Sequence, residues 1–530
     1  MNLVYYINIL LIFIILILIC SILKKKCNKS IANLIESFST STTQSNLESK
    51  VKTILVGTDL GHDEYKYSTS VLAGNGKIYS APASANYVLE IDPNAPREQD
   101  GTDSDSDNNP TSKRIGRDLG SDWGKYATSV YADSAKGGNG KIYSAPASAN
   151  KVLEITPSTE NDEATSEFIG TDLGDGYAKY STSVLAKNGK IYAAPYNASK
   201  VLEIDPTKST SKVIGEDLGD GRDKYQTSVL AENGKIYAFP YNANYVLEIN
   251  PYADRNSDGT DFDSVNDPTA KLIGKDLNNV EGKYITSVYA DPDKGGNNKI
   301  YATPKNASHV LEINPYYEDI NEATKLIGTD FSFSNKYSTS VLAKYGKIYA
   351  APSDARYVLE IDTDYEDINK ATKLINKVQV VQDHNTQIHN MEDSYHYKNL
   401  QYSTSVLAGN GKIYAVPERA NYVLEIDPTR NEVSTTLVGT DLGSGNDKYL
   451  TSVLAKNGNI YAIPCKASKV LEIDLGLPSP STTLPSTIKT AIEYGKQRSV
   501  PLDYEDKTLK IKFDNPTNTQ FESVNILTQK

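Results

Sequence analysis

Three cysteines in 530 residues, Cys20, Cys27 and Cys465, are too few and too scattered for a disulfide framework, so covalent stapling does not hold this chain together. Tryptophan occurs once, at Trp123, methionine twice and histidine five times. A cationic excess is missing too. The net charge is −12, and the body of the chain carries no cluster of Lys and Arg of the kind that phosphate neutralisation needs, which excludes nucleic acid as the main partner. Long apolar runs are absent with one exception, "LVYYINILLIFIILILICSIL" from Leu3 to Leu23, which is long enough to span a bilayer as a helix. No basic residue precedes that run and no small-residue cleavage site follows it, so it reads as a retained anchor rather than a signal peptide. Lys24, Lys25, Lys26 and Lys29 follow it, which by the positive-inside rule leans the bulk of the chain to the cytoplasmic side.

One unit recurs eight times. "YSTSVLA" begins at Tyr67, Tyr180, Tyr337 and Tyr402, and near-copies begin at Tyr126, Tyr225, Tyr284 and Tyr449, at spacings of 45 to 65 residues. Each unit divides at Gly, Asn and Pro into four short segments, seen in the third copy as "KYSTSVLA", "GKIYAAP", "KVLEIDP" and "SKVIGEDLG". Alternation and β-branched residues make these the strands of one antiparallel sheet, and no helix of useful length fits between them. A single sheet of this kind cannot cover both its faces; a ring of them can. The fold class predicted is therefore all-β, an eight-bladed β-propeller of four-stranded antiparallel blades preceded by one transmembrane helix. Lys52 to Leu60 is a fourth-type strand ahead of the first copy, and the last copy lacks one, so the first strand should close the ring against Lys469 to Asp474. Leu374 to Val380 is the degenerate fourth strand of the sixth blade; seven blades plus an irregular one is the alternative count. The domain reading is an anchor with its basic flank at 1–29, a Ser/Thr-rich tether at 30–51, the propeller at 52–476, and a Pro/Ser linker with a small tail at 477–530, where "KTLKIKFD" suggests a β element.

The unit resembles Kelch repeats, whose second strand reads much like "NGKIY" and whose third ends in Asp-Pro. The Kelch Gly-Gly doublet and fourth-strand Trp are absent here. What the resemblance implies is a Kelch or galactose-oxidase-like propeller, often a protein-interaction platform, and no particular activity. A longer period overlies the short one. Tyr67 and Tyr225, like Tyr126 and Tyr284, stand 158 residues apart, and the first and fourth copies share acidic inserts, so a block of three blades was duplicated.

Residues present in every copy are scaffold, because a unique site must break the repeat. The Glu of "VLEI" and the Lys of "GKIY" (Asn459 in the eighth copy) lie on adjacent strands and should form a cross-strand ion pair. The Thr-Ser pair of "TSV" suits a crowded innermost strand, and the Asp of "DLG" a turn that bonds its own backbone, with a ring of calcium sites as the other reading. The acidic inserts around Asp103, Asp105 and Asp107 and around Asp258, Asp261 and Asp263 lack the spacing of calcium loops and read as solvated.

Departures from the repeat are where function belongs. The loop between the second and third strands varies in aromatic and charged content, and it shares a face with the links between blades. Tyr196, Tyr241, Lys305, His309, Arg356, Glu418, Arg419 and Lys466 are its candidate binding residues. Asn197 and Asn306 stand in glycosylation tripeptides, which point away from a cytoplasmic location. The insert Lys377 to Leu400 holds His384, His389 and His396, whose spacing matches no compact metal motif, so no metal site is assigned. No cofactor is expected, and no Ser-His-Asp arrangement, phosphate loop, copper-radical set or sialidase Arg triad emerges. The sequence thus points to a membrane-anchored, non-enzymatic propeller that binds a protein or small ligand. The alternatives are a structural surface protein of a large DNA virus, in keeping with the Asn- and Lys-rich style, and an enzyme with a site on one propeller face.

Overall fold

In a computed structural model of the chain, residues 51–378, 402–430, 432–477, 502–505, 508–511 and 522–524 are described. The proposed anchor at 3–23, the tether up to residue 50, most of the 377–400 insert with His384, His389 and His396, and the linker at 478–501 lie outside them. Among the described residues the only helices are five single turns of 3-10 helix, and none is long and apolar enough to cross a membrane.

Eight four-stranded antiparallel sheets form the blades of a propeller. Blade 3 serves as the pattern, with strands Tyr180–Leu185, Ile191–Pro195, Val201–Asp205 and Thr210–Ile214. Its second and third strands are buried at every position, because each blade face is covered by a neighbour, whereas the outermost fourth strand buries only Ser211 and Ile214. The core accordingly sits between blades. One cluster joins Tyr237, Phe239 and Val246 of blade 4 to Tyr284, Ile300 and Leu311 of blade 5, and each of the other seven is built in the same way.

The ring closes as the order of the segments requires. Lys52–Val56 pairs antiparallel with Val470–Asp474, from Lys52 opposite Asp474 to Val56 opposite Val470. The strand is shorter than the sequence suggested, since Gly57 at φ +76° turns the chain out of the ladder. The fourth strand of blade 6 is Thr372–Lys377 rather than Leu374 to Val380, because pairing starts at Thr372 opposite Ile361; its register shifts between Tyr357 and Val358, an irregularity that the fourth strands of the other blades do not show. In the tail, Leu502–Glu505, Thr508–Ile511 and Glu522–Val524 form a separate three-stranded sheet.

The repeated polar residues are the fasteners of the ring. On the innermost strands a Thr hydroxyl of one blade meets a Ser hydroxyl of the next, as in Thr182 with Ser228 at 2.8 Å, Thr404 with Ser452 at 2.9 Å and, across the closure, Thr451 with Ser70 at 2.6 Å. The Lys–Glu pair forms as expected, for example Lys190 with Glu203 at 2.9 Å, and in blade 8 Asn459 donates to Glu472 at 2.7 Å. The carboxylate has further partners that the sequence reading did not foresee. Tyr192 of "KIY" donates its hydroxyl to Glu203 at 2.9 Å, and the turn residue Asn188 donates to both Tyr192 and the Pro251 carbonyl of the next blade.

The acidic inserts join the same network. Each is a hairpin whose arginine reaches the buried Glu of the preceding blade, Arg97 to Glu472 at 3.0 Å and Arg255 to Glu203 at 2.7 Å. Asp107 and Asp258 are exposed, as expected of a solvated loop, but Asp103 and Asp261 accept from the backbone N–H of Thr111 and Thr269, each at 3.0 Å. A buried charge survives in a fold when hydrogen bonds saturate it, and here those bonds cross from blade to blade.

Candidate binding face

The loop between second and third strands and the link entering the next blade interleave on one face, as the sequence reading required. The N–H of Lys224, at the start of blade 4, donates to the Tyr196 carbonyl of the blade 3 loop, while the Lys224 carbonyl accepts from Tyr241 of the blade 4 loop. Beneath this seam lies a feature missed in the sequence, the lysine just ahead of the marker tyrosine. Lys125 is buried, and its ammonium donates to the Gly120 and Asp122 carbonyls at 2.8 and 2.7 Å. Lys66, Lys179, Lys224, Lys283, Lys336 and Lys448 repeat the arrangement. Burial pulls Lys125, Lys283, Lys336 and Lys448 down to about 8, against the pull of nearby carboxylates. The "DLG" aspartate shapes the turn that supplies these carbonyls, Asp118 accepting from the Gly120 N–H at 2.8 Å.

The candidate residues fall into two groups. Tyr196 and Tyr241 meet with ring centroids 6.0 Å apart, and the Lys305 ammonium lies 5.2 Å from the Tyr241 ring centre. Across the face, Glu418 and Arg419 of blade 7 stand beside Lys466 of blade 8. Arg419 Nε is 3.9 Å from the Glu418 carboxylate, and Lys466 pairs with Asp447 at 2.9 Å and Glu64 at 3.2 Å. Burial, reinforced by the Asp447 carboxylate, pushes the Glu418 carboxyl up to about 7. Cys465 is buried in the same loop with its thiol pushed up to about 12, which removes it as a nucleophile. Arg356 is half-buried, and its carbonyl accepts from the Val378 N–H at 2.9 Å. His309 stands apart from both groups at the foot of the third strand of blade 5, bonded to Ser308 at 2.8 Å. The amide groups of Asn197 and Asn306 are engaged, Asn197 donating to the Tyr177 carbonyl at 3.1 Å and Asn306 to the Glu281 carbonyl at 2.9 Å, so a glycan on either nitrogen displaces a link-to-loop bond.

Three aromatic residues of the links were overlooked. Tyr65, Trp123 and Tyr177 enter blades 1, 2 and 3, with Tyr65 and Trp123 centroids 5.5 Å apart, edge to face, and Trp123 and Tyr177 6.1 Å apart and within 8° of parallel. Trp123 and Tyr177 are open to solvent, at 52% and 59%, while Tyr65 is half-buried. The signal was present, since these rings occupy link positions held elsewhere by Arg222, Glu281 or Gly124, and they include the chain's one tryptophan.

No family model matches the chain, and no curated protein matches it. Solved structures similar to it include a streptogramin B lyase, at 10% identity and TM-score 0.42, covering 80% of this chain and 97% of that one. A catalytically inactive virginiamycin B lyase from Staphylococcus aureus with quinupristin matches at 10% identity and TM-score 0.40, covering 80% and 99%. A putative 6-phosphogluconolactonase from Bacteroides fragilis matches at 12% and 0.39, covering 75% and 98%. At these scores neither the activity nor the ligand of those proteins extends to this chain. The fold conclusion rests on the eight closed blades themselves: the chain is an eight-bladed β-propeller.

Proposed function

We propose that this propeller is a non-catalytic binding module, held at a membrane by residues 3–23, whose ligand lies on the face of loops and links. One observation carries the reading. On an otherwise repetitive ring, residues that break the repeat gather on that face as a row of aromatic rings, Trp123 and Tyr177 exposed and Tyr65, Tyr196 and Tyr241 half-buried, with Lys466 and Lys305 against the rings at its ends. Aromatic and arginine side chains dominate binding energy at dissected interfaces. The Kelch resemblance adds the expectation of an interaction platform, although no family model carries it.

The test is a thermal-shift panel of oligosaccharides, peptides, amines and nucleotides against three proteins. These are the full chain, a loop variant with Tyr196, Tyr241, Arg356 and Arg419 replaced by Ala, and an insert variant with Asp103, Asp105 and Asp107 replaced by Ala. Ligands that stabilise the full chain should lose their effect on the loop variant and keep it on the insert variant. The reverse pattern would move the binding face to the other side of the disc.

A further inference from the structure

We propose that Tyr65, Trp123, Tyr177, Tyr196 and Tyr241 form a row of subsites for a neutral oligosaccharide chain, an inference that rests on the binding-face reading above and names its ligand. Ring contacts build it in two runs, joined at Tyr177 through the backbone. Tyr65 meets Trp123 at 5.5 Å, Trp123 meets Tyr177 at 6.1 Å, Asn197 ties the Tyr177 carbonyl to the loop that carries Tyr196, and Tyr196 meets Tyr241 at 6.0 Å. Links supply the first three rings and loops the last two. The change of source follows the scaffold, because the loop position held by Tyr196 and Tyr241 is Ala83 in blade 1 and Ala147 in blade 2. Small loop residues there leave the surface to the link aromatics. Lys466 caps one end of the row, 5.5 Å from the centre of Tyr65, and Lys305 the other.

The fold does not ask for these rings. Tyr65 sits at φ +54°, in a link position that is left-handed in the other blades too, where it is held by Gly124, Ala178, Asp223, Gly282, Asn335 and Asp447, so the turn itself asks for no aromatic side chain. Small and short polar residues form the same turn in the other blades, so the Tyr65 ring is not needed to make it. Exposed Trp123 and Tyr177 likewise contribute little to any core.

The chemistry around the rings selects the ligand. A pyranose has an apolar C–H face that lies on an aromatic ring and an edge of hydroxyls that needs acceptors and donors. Exposed carboxylates of Glu64, Asp122 and Asp175 stand beside the rings in the links as acceptors, Glu64 shared with Lys466. Those carboxylates disfavour an anionic chain such as a uronate or sulfated glycan, or a nucleic acid. A narrow row of rings edged with charge also fits an extended chain better than the broad desolvated patch of a globular partner.

The probes are cellohexaose, chitohexaose, maltohexaose, laminarihexaose and xyloglucan, titrated calorimetrically into the full chain. At least one should bind with a dissociation constant on the order of 1 mM or tighter. Tyr65→Gly, Trp123→Ala and Tyr177→Ala should each weaken it about tenfold, the effect of losing one stacked ring. Tyr65→Gly should keep or raise the melting temperature, which separates loss of binding from loss of fold. Replacing Asp103, Asp105 and Asp107 by Ala should leave oligosaccharide binding unchanged. If no probe binds, or if binding survives the three ring variants, the oligosaccharide assignment is wrong. The wider reading has a different fate: a peptide or amine that binds and is lost in those variants keeps the face and overturns only the sugar, whereas a ligand indifferent to both ring and loop variants overturns the face itself.

Discussion

Glu418→Gln should flatten the pH dependence of stability between about pH 4.5 and 7. The Glu418 side chain is only 16% exposed, and burial with the neighbouring Asp447 carboxylate raises its carboxyl from 4.5 to about 7. A carboxyl raised in the folded state holds a proton there that the unfolded chain has already released. The unfolded chain then binds fewer protons across this window, so stability falls as pH rises through it and levels off above pH 7. A carboxyl raised from 4.5 to about 7 corresponds to a loss of about 3 kcal/mol of stability from pH 4.5 to pH 7. Glutamine keeps the shape and carries no charge, so the variant lacks this loss. Guanidinium unfolding of both proteins at pH 5 and pH 8 reads the difference directly. The variant should gain stability relative to the wild type by up to about 3 kcal/mol at pH 8 and little at pH 5. A stability difference between the two proteins that is the same at both pH values would refute the reasoning, since it would mean Glu418 is ionised in the fold at pH 5.

Ring closure predicts that removing residues 1–57 lowers the melting temperature well below that of a chain lacking only 1–50, because it strips the partner of Val470–Asp474 and leaves an open sheet edge; equal melting would rule the closure out. Arg255→Met should cost about 3 kcal/mol by chemical denaturation, because it leaves the buried Glu203 carboxylate short of its 2.7 Å partner, and a cost below about 1 kcal/mol would show that Lys190 and Tyr192 suffice. Mass spectrometry of membrane-extracted protein should find peptides that reach Lys24 from its N-terminal side, whereas a mature N-terminus near Ser30 would remove the proposed anchor.

The blade count, the strand order, the closing strand and the Lys–Glu pairs were all legible in the sequence. Each is a local or repeated property: period-two alternation marks a strand, Gly, Asn and Pro mark its ends, and a sheet with two apolar faces has to be covered on both sides. Repetition amplified that signal eightfold, so even the orphan strand Lys52–Val56 declared its partner by what the last copy lacked. The same repetition hid what joins the blades. Nothing along the chain says that Thr451 bonds Ser70, that Arg255 reaches back to Glu203, or that Lys125 is buried under carbonyls, because those contacts depend on which strand faces the axis and which loop overlies the next blade. The aromatic row and the proton on Glu418 were likewise decided only in three dimensions. Tyr65 and Trp123 come together because successive links land side by side on one face of the disc, and Glu418 holds its proton because the assembled loops exclude water and set Asp447 beside it. Pattern repeats determine local structure through short-range sterics and burial; adjacency around a ring, and the desolvation that follows from it, exist only once the ring has closed.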